Sequence, residues 1–192
     1  MLVVNLFAGP GHGKSTMAAH IFAALKDKGI VAELVGEAAK DATWRGDNAT
    51  IGCQPWLFGE QLRRQQVLRS AGVQVAVADS PLLLSSVYGD YLPTCFHEVI
   101  RHFHCEFDNL NIILERIKPY EQRGRNQTES DAVNLHTRIC GFLHRSDLPV
   151  ATVRANAAGV KFILELIDRV LAERELAERD WQKRIGGKEL TA

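Results

Sequence analysis

Short apolar runs recur along the chain at 2–7 (LVVNLF), 31–35 (VAELV), 73–78 (VQVAVA), 110–114 (LNIIL) and 150–153 (VATV). None alternates strictly between apolar and polar, which suits strands covered on both faces of a parallel sheet. Helical patterns separate them at about 14–28, 55–71, 90–105, 128–145 and 157–183. Lys28-Gly29 is a helix stop signal, and Thr128-Glu129-Ser130-Asp131 reads as an N-cap with an acidic residue three positions on. Alternating strands and helices predict an α/β fold, a doubly wound parallel sheet with helices on both faces. Right-handed crossovers place every strand C-terminus along one edge, where ligands bind.

At that edge, after the first run, residues 8–15 read AGPGHGKS. Strand, glycine-rich turn, Gly-Lys-Ser and helix are the parts of a P-loop. Gly9, Gly11 and Gly13 are expected to let the backbone wrap with positive φ and approach a phosphate. Backbone N–H groups of the loop and of Ser15 and Thr16 then face the anion at a helix N-terminus. Lys14 should reach the β- and γ-phosphates of ATP, and the Ser15 hydroxyl should ligate Mg²⁺. His12 borders the phosphates. The usual first glycine of the motif is Ala8 here.

Two carboxylates fall just beyond strand ends: Glu37 after 31–35 and Asp79 after 73–78. Phosphoryl transfer needs a carboxylate for Mg²⁺ and another near the acceptor hydroxyl. Asp79 is assigned to the Mg²⁺ shell and Glu37 to the acceptor, as orienter or base. The alternatives are a helix N-cap for Asp79 and a surface carboxylate for Glu37. A basic loop, ERIKPYEQRGRNQ at 115–127, carries Arg116, Lys118, Arg123 and Arg125. It reads as a lid, about 116–127, whose Arg123 and Arg125 close over the transferring phosphate. Between the second and third strands, Trp44, Arg45, Trp56, Gln61 and Arg64 could stack and hydrogen-bond a base. Phe58, Gln61, Gln65 and Leu68 share a helix face, and an ordinary core-packing face is the competing reading.

The chain has 192 residues, 46% of them hydrophobic, which fits a single domain over 1–192. Lys+Arg and Asp+Glu number 23 each, so a zero net charge argues against a sequence-independent nucleic-acid coat but not against a local basic groove. Cysteines at 53, 95, 105 and 140 lack a C-x-x-C pair, as expected of reduced thiols in the cytoplasm. No run approaches the ~20 apolar residues of a membrane helix, and the first residues form a core strand rather than a signal peptide. The His and Cys residues at 95–105 match no tetrahedral zinc spacing. The charged helix at about 157–185 extends beyond the core and is a candidate contact surface, a homodimer included.

AGPGHGKST at 8–16, ADSPLLLS at 78–85 and KPYEQRGRNQTESDA at 118–132 carry a resemblance. The chain resembles bacteriophage P-loop kinases of the thymidylate kinase and deoxynucleoside kinase class over roughly its first 155 residues. The resemblance implies a five-stranded sheet in order 2-3-1-4-5, a lid after the fourth strand, and an acidic residue near the acceptor where Glu37 stands. It also implies an Asp-Arg pair after the third strand, and here that pair is Asp79-Ser80. Arg64 or a lid arginine is then the substitute. Some similar phage enzymes phosphorylate 5-hydroxymethyluracil in DNA, in the host cytoplasm, on a base flipped from the helix, and the resemblance implies Trp44, Trp56 and Tyr88 as aromatics for such a pocket. That acceptor is the favoured expectation. A deoxynucleoside monophosphate kinase and a P-loop ATPase are the alternatives.

Overall fold

The strands run between two hydrophobic clusters, and their residues divide by face. In the computed structural model, which describes residues 1–120 and 128–186 (side chains to 183), β1 (Leu2–Phe7) is buried at every position. Leu2, Val4 and Leu6 pack into one cluster, Val3 and Phe7 into the other. β3 (Val75–Ala78) divides likewise, Val75 and Val77 to the first and Ala76 and Ala78 to the second. The sheet is wholly parallel, in the order β2-β3-β1-β4-β5, with β2 at Ala32–Val35, β4 at Asp108–Glu115 and β5 at Val150–Arg154. The predicted order is therefore found.

α1 (Lys14–Asp27) buries Met17, Ala18, Ile21 and Leu25 on the first face of the sheet. The 30-residue α8 (Ala157–Gly186) adds Ile163 and Ile167 there. On the other face lie α4 (Gln54–Ser70), α6 (Thr94–Cys105) and α7 (Glu129–Arg145), contributing Phe58, Leu62, Ile100, Ile139 and Leu143. The N-terminus of α7 is a full capping box, with Thr128 and Asp131 each bonding the other's backbone N–H. α8 would be about 45 Å long at 1.5 Å per residue. Past Arg174, which pairs with Asp108 at 2.6 Å, its described positions are all exposed.

Three short helices were not in the sequence pattern: α2 (Ala38–Arg45), α3 (Asn48–Ile51) and α5 (Leu84–Tyr88). α2 buries only Ala38 and Ala42, too small a stripe to register as amphipathic. Within the sheet, the Asn5 side-chain amide donates to Oδ1 of Asn109 at 2.9 Å and of Asn111 at 3.1 Å. Asn109 in turn donates to the carbonyls of His104 and Phe107, both at 2.7 Å. Polar groups are thus carried into the interior between β1 and β4, each held by partners.

Candidate active site

The loop between β1 and α1 turns twice through the left-handed region, at Gly11 (φ 76°) and Gly13 (φ 84°). Gly13 caps α1, so the first N–H groups of that helix open onto the C-terminal edge of the sheet. Gly9 differs from the expectation: its φ is not positive. A glycine is needed there because α7 presses on the loop, and a Cβ would lie 2.6 Å from the Ala132 carbonyl oxygen and 3.0 Å from the His136 Cβ. Lys14 folds back along the loop and donates to the Ala8 carbonyl at 2.9 Å.

Asp79 stands at the end of β3, beside β1, and is 7% exposed. The Ser15 hydroxyl donates to its Oδ2 at 2.6 Å, while Oδ1 is buried with no partner among the described residues. The N-cap reading of Asp79 finds no support, since the α5 cap is Leu83. Two hard oxygen donors with an unsatisfied carboxylate oxygen between strand end and helix start suit Mg²⁺, a cation of oxygen ligands. Mg²⁺ held by Ser15 and Asp79 would supply positive charge against a phosphate group.

Glu37 is the N-cap residue of α2, where the chain leaves β2. Burial pushes its pKa up, the Lys14 ammonium pulls it down, and the Asp79 carboxylate pushes it up again. These three groups therefore share one field at the sheet edge. Tyr88, at the end of α5, is 37% exposed; partial desolvation and then the Glu37 carboxylate raise its pKa.

Gln61 and Arg64 act on the backbone around Glu37. The buried Gln61 amide donates to the Gly36 carbonyl at 3.1 Å and accepts from Ala38 N–H at 3.3 Å. Arg64 donates to the same carbonyl at 3.1 Å and also pairs with Asp41 at 2.7 Å and Glu60 at 3.0 Å. The shared face of Phe58, Gln61 and Gln65 is turned inward, with Phe58 edge-on to Phe96 at 5.6 Å, so Phe58 belongs to the core. Trp44 and Trp56 are 76% and 46% exposed. Trp44 follows Glu37 by seven residues, two helical turns along α2, and Arg45 beside it is exposed. Arg123 and Arg125 lie outside the described residues, as does most of the expected lid. Thr16 is exposed on the first turn of α1.

His136 and Arg116 complete the edge, and neither stood out at the sequence level beyond Arg116's place in a basic loop. His12 is buried and stacks on His136, ring centroids 4.1 Å apart and planes 24° apart. Gly9 N–H donates to His136 Nδ1 at 3.3 Å. Burial, with His12, Lys14 and Arg116 nearby, holds the His136 pKa down to about 4. Arg116 donates to Glu129 at 2.7 Å through one nitrogen, and its other terminal nitrogen is buried without a partner among the described residues. In α6, His104 is buried, whereas Cys95 and Cys105 are exposed. A separate cleft of about 470 Å³ lies between α5 and α7, lined by Val87, Asp90, Arg138 and Phe142 among others. It includes none of Lys14, Glu37 or Asp79.

A family model described as an AAA domain matches residues 3–159, from the first strand into α8. The chain belongs to this AAA domain family. No curated protein matches the chain. Among solved structures, this AAA domain is similar to deoxyadenosine kinase from M. mycoides with bound dATP, at 17% identity and a TM-score of 0.50, over 88% of this chain and 100% of that one. It is also similar to shikimate kinase from Aquifex aeolicus, at 15% identity and a TM-score of 0.49, over 90% of this chain and 98% of that one. The five-stranded order and the P-loop are those of a kinase-like P-loop fold. Among the described residues, no helix is long and apolar enough to cross a membrane.

Proposed function

We propose that this AAA domain is an ATP- and Mg²⁺-dependent phosphotransferase that moves the γ-phosphate to a hydroxyl of a pyrimidine deoxynucleotide. The observation that carries the reading is the 2.6 Å Ser15–Asp79 hydrogen bond with Asp79 Oδ1 left open, set beside a half-buried Glu37 in the field of Lys14. A phosphate cradle alone would serve a switch or a pump. A second carboxylate whose protonated form is favoured by burial suits the proton traffic of an acceptor hydroxyl.

In this mechanism Lys14 leaves the Ala8 carbonyl for the β- and γ-phosphate oxygens, and the N–H groups of the loop hold the phosphate chain. Ser15 and Asp79 would hold the metal. Glu37 orients the acceptor hydroxyl and takes its proton. The oxygen–phosphorus bond to the acceptor forms as the bond from the γ-phosphorus to the bridging oxygen breaks, and ADP leaves. Gln61 and Arg64 keep Glu37 in place through the Gly36 carbonyl. Arg116 is the cation we assign to the charge that an Asp-Arg pair would otherwise meet, with Arg123 and Arg125 of the lid as further candidates.

For the acceptor we propose the 5-hydroxymethyl group of 5-hydroxymethyluracil in DNA. Two observations favour it over a free monophosphate. Of the arginines that could meet a 5′-phosphate, Arg45, Arg63 and Arg64, two are already engaged, Arg63 by Glu60 and Arg64 by Asp41 and Glu60. Trp44, Trp56 and Tyr91 present exposed rings on and beside the helices that follow Glu37, as a polynucleotide-stacking surface would. The test supplies γ-labelled ATP with hydroxymethyluracil-containing DNA, deoxynucleoside monophosphates, deoxynucleosides, or no acceptor. Label on the DNA alone supports the proposal. Label on a monophosphate replaces the acceptor, and free phosphate without any labelled acceptor indicates an ATPase. In every arm Lys14→Ala should abolish turnover.

A further inference from the structure

His136 sits 127 positions from Gly9 in sequence, yet its ring accepts the N–H of the second residue of the phosphate loop. That geometry fixes the tautomer. With Nδ1 accepting, the neutral ring carries its proton on Nε2, which points to Cys140 Sγ at 3.5 Å, one turn along α7. His12, inside the loop, stacks on the same ring and is tied by its own Nδ1–H to the Pro10 carbonyl at 3.1 Å. The loop's first half is thus clamped from outside by α7: the His136 ring supplies a hydrogen bond and a ring stack, and the helix around Ala132 and His136 makes the close approach at Gly9.

We infer that His136 is a positioning residue for nucleotide binding, resting on the phosphotransferase reading above. It touches neither phosphate nor metal in this scheme. It holds Gly9 and His12 so that the N–H groups beyond them, at Gly11 to Ser15, converge on the phosphate chain without having to be ordered on binding. α7 is the helix that follows the basic loop, so the clamp also ties the phosphate loop to the element at the end of that loop.

The test compares the wild type with His136→Ala and His136→Asn, since the Asn Oδ1 can stand where Nδ1 stands. MgATP affinity is measured by calorimetry, and the Gly9 amide is followed by ¹H–¹⁵N spectroscopy. Expected is a five- to tenfold loss of affinity in His136→Ala, the effect of one net hydrogen bond. His136→Asn should come back to within about threefold, with the Gly9 amide shift moving in the first variant and returning in the second. Equal affinity in His136→Ala overturns the inference. So does an Asn variant as weak as Ala, which would make the role one of packing alone. Wild-type protein that binds no MgATP overturns the phosphotransferase reading itself, an outcome distinct from either.

Discussion

Gly9→Ala tests whether α7 is seated on the phosphate loop as described. The added Cβ would meet the Ala132 carbonyl oxygen at 2.6 Å, the His136 Cβ at 3.0 Å and the His136 backbone nitrogen at 3.2 Å. Ordinary contact begins at 3.4 Å, so loop and helix must part by 0.8 Å at the tightest point. Two of the three atoms are backbone, which no rotamer change can move. Overpacking of this kind costs about 1–3 kcal/mol. The Gly9 N–H to His136 Nδ1 bond starts at 3.3 Å and does not survive such a shift. At about 2–4 °C per kcal/mol for a chain of this size, the midpoint should fall by about 4–8 °C for a 2 kcal/mol loss. Gly46→Ala is the control. It has a positive φ of 67° but open space around its Cβ, so it carries only the left-handed penalty of about 1–2 kcal/mol. Thermal unfolding with and without MgATP reads both effects. Gly9→Ala should show the smaller MgATP-induced rise in midpoint, and Gly46→Ala the wild-type rise. A Gly9→Ala protein that keeps that rise in full would refute the seating of α7 on the loop.

Asp79→Asn keeps an acceptor for Ser15 but removes the charge, so turnover at fixed Mg²⁺ should fall by about 100-fold or more with little change in midpoint. A normal rate and Mg²⁺ requirement would remove Asp79 from the metal. Glu37→Gln should abolish transfer and raise the unfolding midpoint at pH 8. The sign follows from a folded pKa above the unfolded one: the protonated form stabilises below the unfolded pKa, and that stability is lost as pH rises through the folded value. The gain over wild type should therefore shrink toward pH 4, and a midpoint lowered at pH 8 would contradict it. Arg64→Ala frees the Gly36 carbonyl, so kcat should drop several-fold while KM for ATP holds. A fall in ATP affinity instead would move Arg64 to the donor side.

The strands were legible because burial on both faces leaves an uninterrupted apolar run, and LVVNLF or VQVAVA can hardly be anything else. α5 was not, since Leu84–Tyr88 is buried on nearly every side and such a short segment has no period. The placement of Asp79 and Glu37 was legible because Asp79 directly follows β3 and Glu37 follows β2 by two residues, and parallel topology sends such positions to one edge. Gln61 and Arg64 were visible as polar residues on a helix, but whether they face a base or a backbone carbonyl depends on where α4 meets the end of β2. His136 carried no local signal at all: its partner is a backbone N–H on a distant loop, and its spacing on α7 is that of any half-buried helix position.

The asparagines between β1 and β4 bear on how the chain finds its pairing. β1 is buried at all six positions, so a one-residue slip would exchange one apolar face for another, and hydrophobic pattern says little about alignment. Asn5 lies opposite Asn111 in the parallel ladder and reaches Asn109 on the same side. A one-residue slip strands these amides inside the sheet, at about 1–3 kcal/mol for each group left unmatched. Segments more than a hundred residues apart thus carry their own alignment key. Replacing all three asparagines by aliphatic residues should keep the sheet while letting β4 settle in more than one register.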